Sequence, residues 1–145
     1  MTDDLYHDII IDHSKKPRNF RPLDDANRTA EGHNQLCGDR CKLFVKESGG
    51  VIQKITFQGA GCAISTSSAS LMTEALKGKT VAEAEDLLAR FLELLTSGEV
   101  AKADLGKLAA FSGVRKFPIR VKCATLAWQT LRAALRNSQE EVSTE

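Results

Sequence analysis

The chain has 145 residues, 42% of them hydrophobic, with 20 Lys and Arg against 19 Asp and Glu. That length can bury a core without disulfide staples, and a formal net charge of +1 gives no field that would recruit nucleic acid or a membrane surface. No apolar run approaches the roughly 18 residues of a membrane helix, and Met1-Thr2-Asp3-Asp4 is acidic where a secretory signal is basic, so one domain over residues 1–145, in the cytoplasm, is expected.

Leu5, Tyr6, Ile9, Ile10 and His13 share one helical stripe, opened by a Thr2/Asp3 cap and closed before Pro17. This predicts a short docking helix. A strand is expected from about Arg28 into Leu36. It precedes a hairpin whose arms, 42–47 and 51–57, carry Leu43 and Val45 on one face and Val51, Gln53, Ile55 and Phe57 on one face around a Ser48-Gly49-Gly50 turn. After Gly59-Ala60-Gly61 the period turns helical from Ala63 to Lys77, stopped by Gly78. Thr80 and Glu83 form a capping-box pattern ahead of Val81, Ala84, Leu88, Phe91 and Leu95. Ser97-Gly98 ends that helix. From Glu99 to Phe117 the chain reads as an inserted connection with a short helical piece at Leu105 to Phe111 and a break at Gly113. Pro118 then suits the first turn of a last helix striped with Ala124, Ala127, Trp128, Leu131 and Leu135. The polar tail over 138–145 is expected to fray.

Four cysteines in a reducing compartment read as metal ligands or reactive thiols rather than disulfides. In extended backbone, Cys37-Gly38-Asp39 turns a thiol and a carboxylate to the same side. Cys62 follows Gly-Ala-Gly at a strand-to-helix junction, and Cys123 is expected in the first turn of the last helix beside Arg120 and Lys122. Helix amino termini favour thiolates. Three thiolates and one carboxylate suit zinc in a tetrahedral shell, or a cluster held by three sulfurs and one weaker ligand. The competing reading is that each cysteine is a small buried hydrophobe, since spacing alone does not bring the three together.

At these positions the sequence resembles the SufU branch of the IscU-like family, proteins of iron–sulfur cluster biogenesis. Asp12-His13 with Pro17-Arg18-Asn19, Leu36-Cys37-Gly38-Asp39, Gly59-Ala60-Gly61-Cys62-Ala63-Ile64-Ser65 and Lys122-Cys123-Ala124-Thr125-Leu126-Ala127-Trp128 match its motifs in order. Scaffold members carry a histidine before the third cysteine. Here the residue is Lys122, and the extra segment over 99–117 also points to the SufU branch. The resemblance implies an α+β fold, a small three-stranded antiparallel sheet packed by helices, and zinc held by Cys37, Asp39, Cys62 and Cys123. It further implies a zinc-dependent sulfurtransferase that takes persulfide sulfur from a SufS-type cysteine desulfurase onto Cys37. A histidine of the desulfurase would displace that thiolate from the metal, and downstream Suf assembly proteins would receive the sulfur. The alternative is a scaffold that assembles a transient iron–sulfur cluster on the same ligands.

Cys41 departs from the family pattern. It is expected either to pack into the sheet or to serve as a spare ligand or second sulfur relay. Arg120 is read either as an aid to the carboxylate or the partner, or as a solvated surface residue. His33 precedes the ligand loop and could approach the metal, whereas His7 and His13 belong to the first helix. The serines from Ser65 to Ser70 have no His–Asp pair spaced to activate them. Close helix packing explains them better.

Overall fold

A computed structural model describes residues 3–34, 38–96, 102–136 and 142–143. Helix α1 (Asp3–Lys15) leads to β1 (Arg28–Asn34), β2 (Asp39–Ser48) and β3 (Val51–Ala60). Helices α2 (Ala63–Leu76) and α3 (Val81–Thr96) follow, then a 3-10 segment (Lys102–Lys116), α4 (Pro118–Leu135) and the two-residue β4 (Val142–Ser143). The sheet order is β3-β2-β1-β4. The three long strands are antiparallel, as expected of an α+β domain of this type. β4 adds a parallel pairing of Val142 with Gly32 and Ser143 with His33, within the tail where fraying was expected.

Local sequence accounts for most of these boundaries. The Thr80–Glu83 capping box forms in both directions at 3.1 Å, and Pro118 occupies the first turn of α4. The segment after α3 differs from expectation. Its 3-10 turns run to Lys116 and its kink falls at Gly106, not Gly113, because Gly106 takes a φ of 56° that residues with a Cβ resist.

In β2, Asp39, Cys41, Leu43 and Val45 are buried while Arg40 and Lys42 are exposed. This alternation turns one sheet face to the helices. α4 lies across β1 and β2, and α2 packs on β3 and beside α4; α1, α3 and the 3-10 segment close the far side. Trp128, fully buried, stacks on Phe91 at 4.5 Å between centroids, and Phe91 meets Phe111 edge-on.

The Asp12-His13 and Pro17-Arg18-Asn19 motif fastens the amino-terminal segment to α2. His13 Nδ1 lies 2.7 Å from Ser70 Oγ, the Arg18 amide donates to the same oxygen at 2.8 Å, and Asn19 Nδ2 donates to Thr73 Oγ1 at 3.1 Å. The helix-packing role expected of the serine cluster is met here. Ser68 does the same on the other side of α2, donating to the Ala124 carbonyl at 2.6 Å and accepting from Trp128 Nε1 at 3.1 Å.

Candidate metal centre

Three elements converge at one end of the helix-covered sheet face. Asp39 opens β2, Cys62 is the N-cap of α2, and Cys123 lies in the second turn of α4, not the first, because the helix already begins at Pro118. One ligand atom from each of the three lies within 4.8 Å of the others. Asp39 is 1% exposed and Cys123 3%, while Cys62 faces solvent. The site is therefore a buried corner with one open side.

The amino terminus of α2 organises it. Asp39 Oδ1 accepts the Cys62 N–H at 2.9 Å, and the Cys62 sulfur accepts the Ser65 N–H at 3.4 Å. Both bonds satisfy helix-terminal donors that have no partner within the helix. Asp39 Oδ2 is left 3.8 Å from Cys62 Sγ. With metal–ligand bonds of about 2.3 Å to sulfur and about 2.1 Å to oxygen, adjacent corners of a zinc tetrahedron are about 3.6 Å apart for this pair. The carboxylate and thiol stand at nearly that separation. Two thiols and a carboxylate gathered in a mostly buried corner repel one another once ionised, and a soft-to-borderline cation relieves that repulsion. The donor set thus fits zinc.

Cys37, expected as a further ligand and as the sulfur acceptor, lies outside the described residues. Cys41 is part of the hydrophobic core. It is buried between Gly32 and Gly59 on the neighbouring strands, and burial pushes its thiol up to about 12. It does not belong to the ligand group of the described residues. Packing into the sheet, one of the two readings of this residue, is where the structure puts it. His33 pairs with Arg40 while Asn34 pairs with Asp39. Residues directly opposite share a face, so His33 is on the far side of the sheet from the carboxylate. His13 is held at Ser70, away from the thiols.

Beside Cys62 and Cys123 opens a groove of about 820 Å³, lined also by Tyr6, Ile10, Ile119 and Arg120. Arg120 places its guanidinium 4.6 Å over the exposed Phe117 ring. Arg120 thus stacks on Phe117 and does not bond Asp39, whose described partner is the α2 terminus.

The sequence profile described as the NifU-like N terminal domain matches residues 5–144. The chain belongs to that family. Within it, the zinc-dependent sulfurtransferase SufU of Bacillus subtilis is 40% identical over 138 residues, covering 94% of this chain and 93% of that protein. The iron–sulfur cluster assembly scaffold protein IscU of Streptococcus pyogenes is 42% identical over 135 residues, covering 92% and 84%. Among solved structures, a putative iron–sulfur cluster assembly scaffold protein for the SUF system from Fervidobacterium islandicum superposes with a TM-score of 0.85 at 34% identity, over 93% of this chain and 99% of that one. The SufU/IscU-type architecture expected from the motifs is thereby established, since the Fervidobacterium islandicum protein shares it over 99% of its length.

Two features of the site were not read from the sequence. One is the clearance that Gly61 leaves for the Asp39 carboxylate; the other is the Ser68 bond to Ala124, the residue after Cys123. Both join positions far apart in the chain, and neither has a local signature.

Proposed function

We propose that this protein is a zinc-binding sulfur acceptor in iron–sulfur cluster assembly, a sulfurtransferase that takes persulfide sulfur from a SufS-type cysteine desulfurase onto Cys37. The observation that carries this reading is the convergence of Asp39, Cys62 and Cys123 donor atoms within 4.8 Å. Cys37 is two residues from Asp39, and at 3.8 Å per residue the covalent chain keeps their Cα atoms within about 7.6 Å. A tether of that length lets its thiolate serve as a fourth donor. Zinc bound there would hold thiolates deprotonated near neutral pH and has no redox chemistry of its own.

The chemistry of this chain is thiol–persulfide exchange. The Cys37 thiolate attacks the terminal sulfur of the desulfurase persulfide; the S–S bond of the donor breaks, its cysteine leaves as thiolate, and Cys37 carries the new S–SH. No net oxidation occurs. Asp39 is held by the Cys62 amide throughout, and Cys123 by its place in α4, so the remaining ligands stay fixed while Cys37 reacts. Downstream Suf assembly proteins would take the sulfur. Cytoplasmic thiol-reducing conditions suit such an exchange, and no helix among the described residues is long and apolar enough to cross a membrane.

A second reading, a scaffold assembling a transient iron–sulfur cluster on the same ligands, is supported by the 42% identity to the Streptococcus pyogenes scaffold. Lys122 favours the first. It stands where scaffold members offer a histidine, and an ammonium cannot ligate a metal. Metal analysis and the visible spectrum of anaerobically purified protein separate the two. The expected result is colourless protein with bound zinc which, mixed with desulfurase and cysteine, gains sulfur on the Cys37 peptide by mass spectrometry. Stoichiometric iron and sulfide with little zinc would establish the scaffold instead.

A further inference from the structure

We infer that Gly61 is a positioning residue for the metal centre: the space left by its missing side chain is where the Asp39 carboxylate sits. The inference rests on the reading of Asp39 as a ligand. A Cβ at position 61 would lie 2.5 Å from Asp39 Oδ1, 3.0 Å from its Cγ and 3.2 Å from Ser65 Oγ, and real Cβ contacts are essentially never under 3.0 Å. Asp39 is 1% exposed, so its carboxylate is enclosed by the protein around it.

The sheet fixes Asp39 directly and anchors Gly61 at the residue before it. Asp39 is paired with Asn34 across the sheet, and its neighbour Arg40 is paired with Ala60, the residue before Gly61. Neither strand can drift to admit a methyl group without breaking the ladder. The carboxylate must turn instead. Turning surrenders the 2.9 Å bond from the Cys62 amide and moves Oδ2 from its station 3.8 Å from Cys62 Sγ. Both features that make Asp39 a usable ligand are lost together.

Conformational freedom is not what this glycine supplies. Gly61 is absent from the positive-φ glycines, which include Gly38 at 70°, so alanine can adopt its backbone without the left-handed penalty. The main effect of Gly61→Ala is then the added methyl acting on the Asp39 carboxylate, with a milder contact on the Ser65 hydroxyl, which can rotate aside. Gly61 thereby does for Asp39 what an outer-shell hydrogen-bond partner does for other ligands, setting its orientation, but by clearance rather than by contact.

The test is a double-mutant cycle on the full chain, read as zinc affinity by competition with a chromogenic chelator and as the absorption spectrum of the cobalt-substituted protein. Gly61→Ala is expected to weaken zinc by about 10–100-fold, the range for disturbed ligand orientation. Its cobalt spectrum should shift toward that of Asp39→Ala, which a merely structural lesion would not produce. In the Asp39→Ala background there is no carboxylate to displace, so Gly61→Ala should cost less than about twofold. An equal loss in both backgrounds, or a Gly61→Ala protein with unchanged affinity and spectrum while Asp39→Ala loses zinc, would overturn the inference. If Asp39→Ala alone leaves zinc affinity unchanged, the reading of Asp39 as a ligand falls, and the role of Gly61 with it.

Discussion

Ser68→Ala should be costly for a residue that touches neither metal nor solvent. The Ser68 hydroxyl is fully buried, donates to the Ala124 carbonyl at 2.6 Å and accepts the only tryptophan's indole N–H at 3.1 Å. The carbonyl keeps its helical partner within α4, but the indole N–H loses its acceptor inside the core. One lost hydrogen bond at about 1 kcal/mol and one stranded donor at about 1–3 kcal/mol sum to about 2–4 kcal/mol. Replacing Trp128 by Phe removes the donor, so in that background Ser68→Ala should cost only about 1 kcal/mol. Equilibrium urea unfolding at fixed zinc, followed by circular dichroism in all four proteins, gives the coupling directly. A cost below about 0.5 kcal/mol, or the same cost in both backgrounds, would refute the claim that Ser68 joins α2 to α4 through this pair. Because Ala124 follows Cys123, loss of the join should also loosen the third ligand.

Cys41→Ser is expected to leave zinc content unchanged by metal analysis while lowering stability by about 1–3 kcal/mol, since it puts a hydroxyl among apolar neighbours. Large zinc loss would restore Cys41 as a ligand. The same burial should make Cys41 inert to iodoacetamide in the native protein, checked by mass spectrometry against the exposed Cys62. For His13, burial and then Arg18 hold the imidazole below its ordinary value of 6.5, outweighing the upward pull of Glu74 and Asp12; Lys107 adds to the lowering. The native state thus prefers neutral His13. Its contribution is full above 6.5 and is lost as pH falls below that value, because the unfolded chain takes up the proton first. The urea midpoint should drop across this window, and His13→Gln should flatten the drop. Asp12, Asp25 and Glu83, all lowered, act only in the more acidic carboxylate range.

What the sequence revealed depended on how local each cause is. The Thr80–Glu83 box, the Ser48-Gly49-Gly50 turn and Pro118 work through neighbours within four residues, and the structure has each where expected. Asp39, Cys62 and Cys123 could be named from their settings beside glycines and helix starts. Whether they met could not, because that depends on how α4 crosses the sheet. Gly61 and Asp39 are brought together by pairing of β2 with β3, so the clearance between them belongs to that pairing and not to either local sequence. β4 was invisible because two residues paired at a sheet edge leave no periodicity to detect.

The row Gly32, Cys41 and Gly59 runs across the sheet directly behind the row that carries Asp39. A Cβ at Gly32 would strike Thr130 of α4, so the helix bearing Cys123 rests on bare backbone there. The surface that presents ligands is therefore also the one that seats the helix, with no spacer between them. A substitution that alters how closely α4 lies on β1 must shift Cys123 as well. Mutational drift in this corner cannot adjust the domain's cohesion and its ligand geometry separately, and any inherited change there is screened for both at once.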